Sequence, residues 1–128
     1  MVHRLSILVV DDEPIVCTFM QHVLQGRGYH VWTAHGGGYA LELLVRHGQE
    51  LSLLVTDVLM PGISGLALAK AARKSFPDLP VLYVSGYHGN YAGQVPAAAR
   101  LEKPFTAAEL LERVQALMSR AGDMMLTH

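Results

Sequence analysis

Acidic residues follow the first apolar run of the chain, where a buried segment would be expected to end. Residues 5–10 are nearly all apolar, and Asp11, Asp12 and Glu13 come directly after them. Clustered carboxylates raise one another's pKa values unless a cation offsets their charge. Hard oxygen ligands favour Mg²⁺, which takes one or two carboxylates together with waters and phosphate oxygens. The acidic run therefore predicts a Mg²⁺ site that Asp11 and Asp12 help to form.

Three further polar residues stand at the ends of other apolar runs. Asp57 ends one run, Ser85 ends the next, and Lys103 follows a short one. In open parallel α/β sheets, ligands collect beyond the carboxyl ends of the strands. If these runs are parallel strands, their polar ends converge on one pocket, which could receive a phosphoryl group beside the metal.

The elements that would position these residues alternate along the chain. Short apolar runs alternate with amphipathic stretches, which is the pattern of a parallel sheet covered by helices on both faces. The sequence therefore predicts an α/β fold with a doubly wound parallel sheet. The predicted strands cover residues 5–10, 30–34, 51–57, 81–85 and 99–103.

Helix signals are clear in most of the intervening segments. Pro14 suits the first turn of a helix that ends at a Gly-Arg-Gly sequence, and Thr106 with Glu109 forms a capping box that opens the last helix. Two more helices are predicted near residues 38–47 and 64–75. In residues 86–100, glycines and Pro96 interrupt the helical period, so a fourth helix there should be short or distorted.

Composition excludes several classes of protein. The 128 residues fit one domain, and a net charge of −1 argues against a broad electrostatic contact with nucleic acid or an anionic membrane. Cys17 is the single cysteine, so no disulfide forms within the chain. No apolar run approaches the length of a membrane span, and the first residues do not fit a signal peptide. A cytoplasmic location is expected.

Four sequence blocks carry a resemblance to a known family. These blocks are "ILVVDDEP", "VTDVLMPGISGLALA", "VLYVSGY" and "LEKPF", and together they span most of the chain. They resemble the blocks of a response-regulator receiver domain, of the type found as single-domain regulators or at the C-terminus of hybrid sensor kinases. The resemblance implies a flavodoxin-like fold with strand order 2-1-3-4-5. It also implies a receiver domain over residues 1–121 and a short tail over 122–128.

The same resemblance implies a role for each polar strand end. Asp57 would accept a phosphoryl group from a sensor histidine kinase or a histidine phosphotransfer protein, in a reaction that requires Mg²⁺. Ser85 would be the hydroxyl switch residue, and Lys103, before a cis-proline, would contact the phosphoryl oxygens. The metal ligands would be Asp12, Asp57 and the carbonyl of Leu59, together with Asp11 through a water molecule.

Some positions depart from the family pattern, and other functions stay open. Arg100 stands where many receivers have an aromatic switch residue, and Leu59 and Tyr87 stand at rim positions where other receivers carry polar side chains. One alternative function is a pseudo-receiver that acts only as an interaction module. Another is a metal-dependent phosphohydrolase with an aspartyl-phosphate intermediate, although the usual Asp-x-Asp motif is absent.

Overall fold

The fold is a five-stranded parallel sheet with helices on both faces. A computed structural model describes residues 5–86 and 94–126. The strands lie in the order β2-β1-β3-β4-β5, as the family resemblance implied, and all adjacent pairs are parallel. Each predicted strand is confirmed within two residues at either end. Their bounds are β1 Ser6–Val10, β2 His30–Ala34, β3 Leu51–Asp57, β4 Val81–Ser85 and β5 Arg100–Glu102.

Four α-helices connect or follow these strands. They are α1 Pro14–Gly26, α2 Gly37–His47, α3 Gly65–Ser75 and α4 Ala107–Leu126. The predicted capping box is confirmed, because the Thr106 amide donates to Glu109 Oε1 at 2.9 Å and the Glu109 amide donates to Thr106 Oγ1 at 3.1 Å. Pro14 lies in the first turn of α1 as predicted. The last helix extends to Leu126, beyond the predicted domain boundary at residue 121.

The segment between β4 and β5 is described only in part. Residues 87–93, which include Tyr87 and part of the segment 86–100 predicted to hold a short or distorted fourth helix, lie outside the described residues. The described remainder contains a single turn of 3₁₀-helix, Ala97–Ala99, directly before β5.

Two apolar layers enclose the sheet. Successive side chains of a strand point to opposite faces, and β1 is buried along its whole length. One layer packs the sheet against α2 and α3, and includes Leu8, Val10, Leu54, Ala40, Leu44 and Leu68. The other packs it against α1 and α4, and includes Ile7, Val9, Leu82, Met20, Leu24 and Leu110. With both faces covered, the strand ends are the places left for a polar site.

Candidate phosphoacceptor site

The three aspartates meet at the carboxyl edge of the sheet. Asp11 follows β1, Asp57 ends β3, and one carboxylate oxygen from each of Asp11, Asp12 and Asp57 lies within 4.8 Å of the others. Asp11 is fully buried and Asp57 is 5% exposed, whereas Asp12 is more accessible to solvent. Neighbouring parallel strands β1 and β3 bring these residues together although 46 positions separate Asp11 from Asp57.

Lys103 places an ammonium group among these carboxylates. Its Nζ lies 3.0 Å from Asp11 Oδ2, 3.3 Å from Asp57 Oδ2 and 3.1 Å from Glu13 Oε1. Its backbone amide donates to the Ser85 carbonyl at 2.8 Å, which fixes the residue at the end of β4 and β5. Burial alone would lower the pKa of Lys103, but its hydrogen bonds and charge pairing with the carboxylates outweigh burial and raise it. The side chain therefore stays an ammonium at neutral pH.

Burial raises the pKa values of the aspartates, whereas it lowers that of their lysine partner. Burial, together with the charge of Asp11, raises the pKa of Asp57 to about 6, although Lys103 partly offsets this rise. Burial also raises the pKa of Asp11, while a hydrogen bond from the Glu13 amide to Asp11 Oδ1, at 2.9 Å, lowers it. The single ammonium therefore does not fully offset the cost of burying the carboxylates.

This donor set fits Mg²⁺. All three aspartates offer hard oxygen ligands, which is the chemistry that Mg²⁺ prefers. Asp11 Oδ2 is buried and accepts no well-directed hydrogen bond, since its contact with Lys103 is only an ion pair by distance. A buried carboxylate oxygen without a hydrogen-bond donor is costly unless a cation lies near it. A second cation would relieve that cost.

The loop after β3 fixes the backbone of Asp57. Gly65 opens α3 so close to the strand that a Cβ there would collide with the Asp57 carbonyl oxygen. The Gly65 amide donates to the Val58 carbonyl at 2.8 Å, and the Val58 amide donates to the Val84 carbonyl at 3.0 Å. Gly62 has a φ of +78°, which favours glycine over other residues. The loop thus holds Asp57 at this edge of the sheet.

The other predicted site residues lie at or near this edge. Ser85 ends β4 and is buried. Leu59 lies two residues after Asp57 with its side chain 58% exposed. The Lys103–Pro104 peptide bond is cis, as the family resemblance implied. Arg100 begins β5 opposite Tyr83 of β4. The functional roles of these residues stay predictions.

Sequence reasoning assigned no role to one residue of this cluster. Glu13 Oε1 accepts a hydrogen bond from Lys103 Nζ at 3.1 Å, across 90 positions of sequence. The signal that could have found it is its place in the acidic run with Asp11 and Asp12. Glu13 is the next residue after these two aspartates, so it lies close enough to share the Lys103 ammonium with Asp11.

Comparison with known proteins identifies the class to which this fold and edge belong. The model of the response regulator receiver domain family matches residues 7–115. The chain therefore belongs to the response regulator receiver domain family, whose members are signalling modules of two-component systems. Phosphorylation and Mg²⁺ binding are typical of that family. This membership does not favour the pseudo-receiver or phosphohydrolase alternatives.

Individual relatives agree with this assignment. The chain is 36% identical to the sensor kinase CckA of Brucella abortus over 90% of its own length and 13% of that protein. It is 31% identical to the response regulator receiver protein CpdR of Brucella abortus, over 90% of this chain and 98% of that protein. The crystal structure of the receiver domain of the hybrid histidine kinase CckA superimposes with a TM-score of 0.77 at 36% identity, covering 88% of this chain and 98% of that one.

The matched share of each relative differs widely. The chain spans 13% of the sensor kinase and about half the length of other curated relatives that it matches, such as the response regulator MprA of Mycobacterium ulcerans. Within residues 5–86 and 94–126, no helix has the length and apolar character needed to cross a membrane.

Proposed function

We propose that this receiver domain accepts a phosphoryl group from a phosphohistidine onto Asp57, with Mg²⁺ bound beside it. The observation that carries the proposal is the meeting of three aspartates at one edge of the sheet, with Lys103 Nζ 3.3 Å from Asp57 Oδ2. An Asp57 carboxylate oxygen attacks phosphorus as the P–N bond to the donor histidine breaks. The electron pair of that bond leaves with the imidazole nitrogen.

Asp57 is suited to act as the nucleophile at neutral pH. Its pKa of about 6 in the metal-free protein leaves the side chain mostly ionised at pH 7. Its buried position and its contact with Lys103 Nζ, at 3.3 Å, limit the orientations that the carboxylate takes. A positioned nucleophile avoids part of the entropic cost of a bimolecular reaction.

Metal and lysine divide the charge of the transferring group between them. Asp11, Asp12 and Asp57, with the Leu59 carbonyl, would hold Mg²⁺, which neutralises charge on the phosphoryl oxygens when it is bound. Lys103 contributes a second positive charge, already within hydrogen-bond distance of Asp57. Fixed positive groups at the place where charge develops lower the barrier without reorganisation.

Ser85 is suited to report the new charge to the rest of the domain. It is buried at the end of β4, and its carbonyl accepts a hydrogen bond from the Lys103 amide. In the proposal, its hydroxyl donates to the phosphoryl group and the end of β4 moves with it. The added charge of the phosphoryl group would thereby change the conformation of the surface near Ser85. The roles of Arg100 and of residues 87–93 in that change belong to the same proposal.

The partners follow from the chemistry of the reaction. The donor is a phosphohistidine on a sensor histidine kinase or on a histidine phosphotransfer protein, and the site of action is the cytoplasm. The chain itself supplies the acceptor, catalyses its own phosphorylation and hydrolyses the product slowly. It acts either as a free-standing regulator or as the receiver of a hybrid kinase, and both arrangements occur among its relatives.

The test is covalent labelling. We expect acetyl phosphate with Mg²⁺ to add one phosphoryl group to the wild type, as measured by intact-protein mass spectrometry. Asp57→Asn should abolish the label because an amide cannot form an acyl phosphate. The control Asp78→Asn, which changes an exposed acid in the loop after α3, should keep it. Stoichiometric labelling of Asp57→Asn would refute the assignment, and an unlabelled wild type would favour the pseudo-receiver.

A further inference from the structure

Glu13 reaches the site from its solvent side. Its side chain is 62% exposed, whereas Lys103, which it contacts at 3.1 Å, is only 15% exposed. The Glu13 amide also donates to Asp11 Oδ1 at 2.9 Å, which ties the backbone of the residue to the aspartate cluster. Glu13 is therefore fixed beside the cluster while its carboxylate lies at the rim.

Lys103 occupies the same carboxylates that would bind the metal. Its Nζ lies 3.0 Å from Asp11 Oδ2 and 3.3 Å from Asp57 Oδ2. Two cations that share buried carboxylates repel each other strongly, because the surroundings screen charge poorly. With Mg²⁺ among these aspartates, Asp11 would hold the ammonium less strongly, so the position of Lys103 would depend more on its contacts with Asp57 and Glu13.

We propose that Glu13 is a positioning residue that holds Lys103 at the rim while Mg²⁺ occupies the aspartates. Its carboxylate is an acceptor for the ammonium outside the three-aspartate cluster, already in contact with it. The ammonium keeps Glu13 and Asp57 while Asp11 holds it less strongly, so it stays in place for the phosphoryl group. This inference rests on the proposed function and names a residue that regulates its metal step.

Helix capping is not the task of the Glu13 side chain. The residue is the N-cap of α1, with φ −91° and ψ 109°, but its side chain makes no capping hydrogen bond. A helix that begins with Pro14 in its first turn does not depend on that side chain. Substitution of Glu13 should therefore change the contact with Lys103 and leave α1 in place.

The test is a double-mutant cycle on Mg²⁺ affinity, measured by titration calorimetry of the metal-free chain. Glu13→Ala should weaken Mg²⁺ binding about two- to fivefold, the size expected for a partly exposed ion pair. Lys103→Met should tighten binding, because it removes the competing cation. In the Lys103→Met background, Glu13→Ala should have a clearly smaller effect, since no ammonium is left to hold. Equal weakening in both backgrounds would overturn the inference.

A conservative variant separates hydrogen bonding from net charge. Glu13→Gln keeps an oxygen that accepts from the ammonium, so its Mg²⁺ affinity should lie between those of the wild type and Glu13→Ala. If Glu13→Gln bound Mg²⁺ no better than Glu13→Ala, Glu13 would act only through its negative charge and not through its hydrogen bond to Lys103. That result would overturn the inference. Glu42→Ala, which removes an exposed acid on α2, should leave the affinity unchanged.

Failure of the inference is distinguishable from failure of the proposed function. Absence of Mg²⁺ binding to the wild type would overturn both. Normal binding and normal labelling of Asp57, with the same loss in both lysine backgrounds, would overturn the role of Glu13 alone. Equal unfolding midpoints for the variants without Mg²⁺ would show that the affinities report the site and not the fold.

Discussion

The two ends of the sheet differ in what they bury. Strand β3 begins at Leu51 beside an open groove of about 490 Å³, and it ends at Asp57 among buried charges. The groove is lined mostly by apolar side chains, among them Leu5, Leu51, Phe76, Leu79, Pro80 and Met118. Apolar burial stabilises a fold, whereas burial of like charges costs stability. The same strand therefore contributes stability through its apolar side chains and, in the proposed function, chemistry through its last residue.

The largest expected effect lies in the apolar layers. Leu82 of β4 is fully buried, so Leu82→Ala should lower the free energy of unfolding by about 2–5 kcal/mol through lost transfer energy and a cavity. Chemical denaturation measures it. Val45→Ala on α2, where the side chain is 87% exposed, is the matched control and should cost far less. Equal losses at the two positions would contradict the division between layers and surface.

At the charged edge, in contrast, removal of a buried carboxylate should stabilise the metal-free protein. Because burial raises the pKa of Asp57 to about 6, the folded protein binds its proton more tightly than the unfolded chain does. Stability without Mg²⁺ should therefore fall as pH rises from about 4 to 6. Asp57→Asn removes this penalty, and should stabilise the metal-free protein at pH 7 by about 1–3 kcal/mol.

Denaturation across pH, with and without Mg²⁺, tests this prediction. The advantage of Asp57→Asn should be near zero at pH 4, grow to its full size above pH 6, and shrink when Mg²⁺ binds the wild type. Destabilisation by Asp57→Asn at pH 7 would mean that the pairing of Asp57 with Lys103 outweighs the cost of burial.

The Mg²⁺ affinity should depend on acidic residues at the charged edge and not on those at the opposite end of the sheet. Asp12 is the more accessible aspartate and, in the proposal, a direct ligand, so Asp12→Ala should weaken Mg²⁺ binding by at least about tenfold. Calorimetric titration of the metal-free protein gives the affinity. Glu50→Ala, at the opposite end of the sheet before β3, provides the control. An unchanged Mg²⁺ titration would remove Asp12 from the site.

The smallest expected effect concerns the rim. Leu59 follows Asp57 by two residues and cannot orient water for hydrolysis of the acyl phosphate, whereas an amide can. Leu59→Asn should therefore speed the decay of the phosphorylated protein, by up to about tenfold if the barrier falls by ~1.4 kcal/mol. Decay at saturating Mg²⁺ is the measurement, with Val45→Asn as control. Unchanged or slower decay would show that Leu59 does not guard the phosphate.

Local signals predicted most of the elements. Strands β1, β3 and β4 are short, mostly apolar runs that end at or just before a polar residue, and two helix starts carry Pro14 or the Thr106 capping box. The end of the last helix was less predictable, because its apolar stripe stops near Met118 while the helix continues to Leu126. Helix ends depend on a few weak contacts, and sequence patterns locate them poorly.

The sequence by itself determined which polar residues follow the strands and so which ones we propose for the chemistry. Hydrophobic periodicity, helix capping and turn signals involve residues a few positions apart, so they can be recognised in the sequence without the fold. Tertiary structure alone decided that Lys103 contacts Glu13 as well as Asp57, because those contacts join residues 90 and 46 positions apart. It also decided the raised pKa of Asp57, which depends on burial and on Asp11 from another strand. Charge interactions follow distance in space, and only the packed sheet sets that distance.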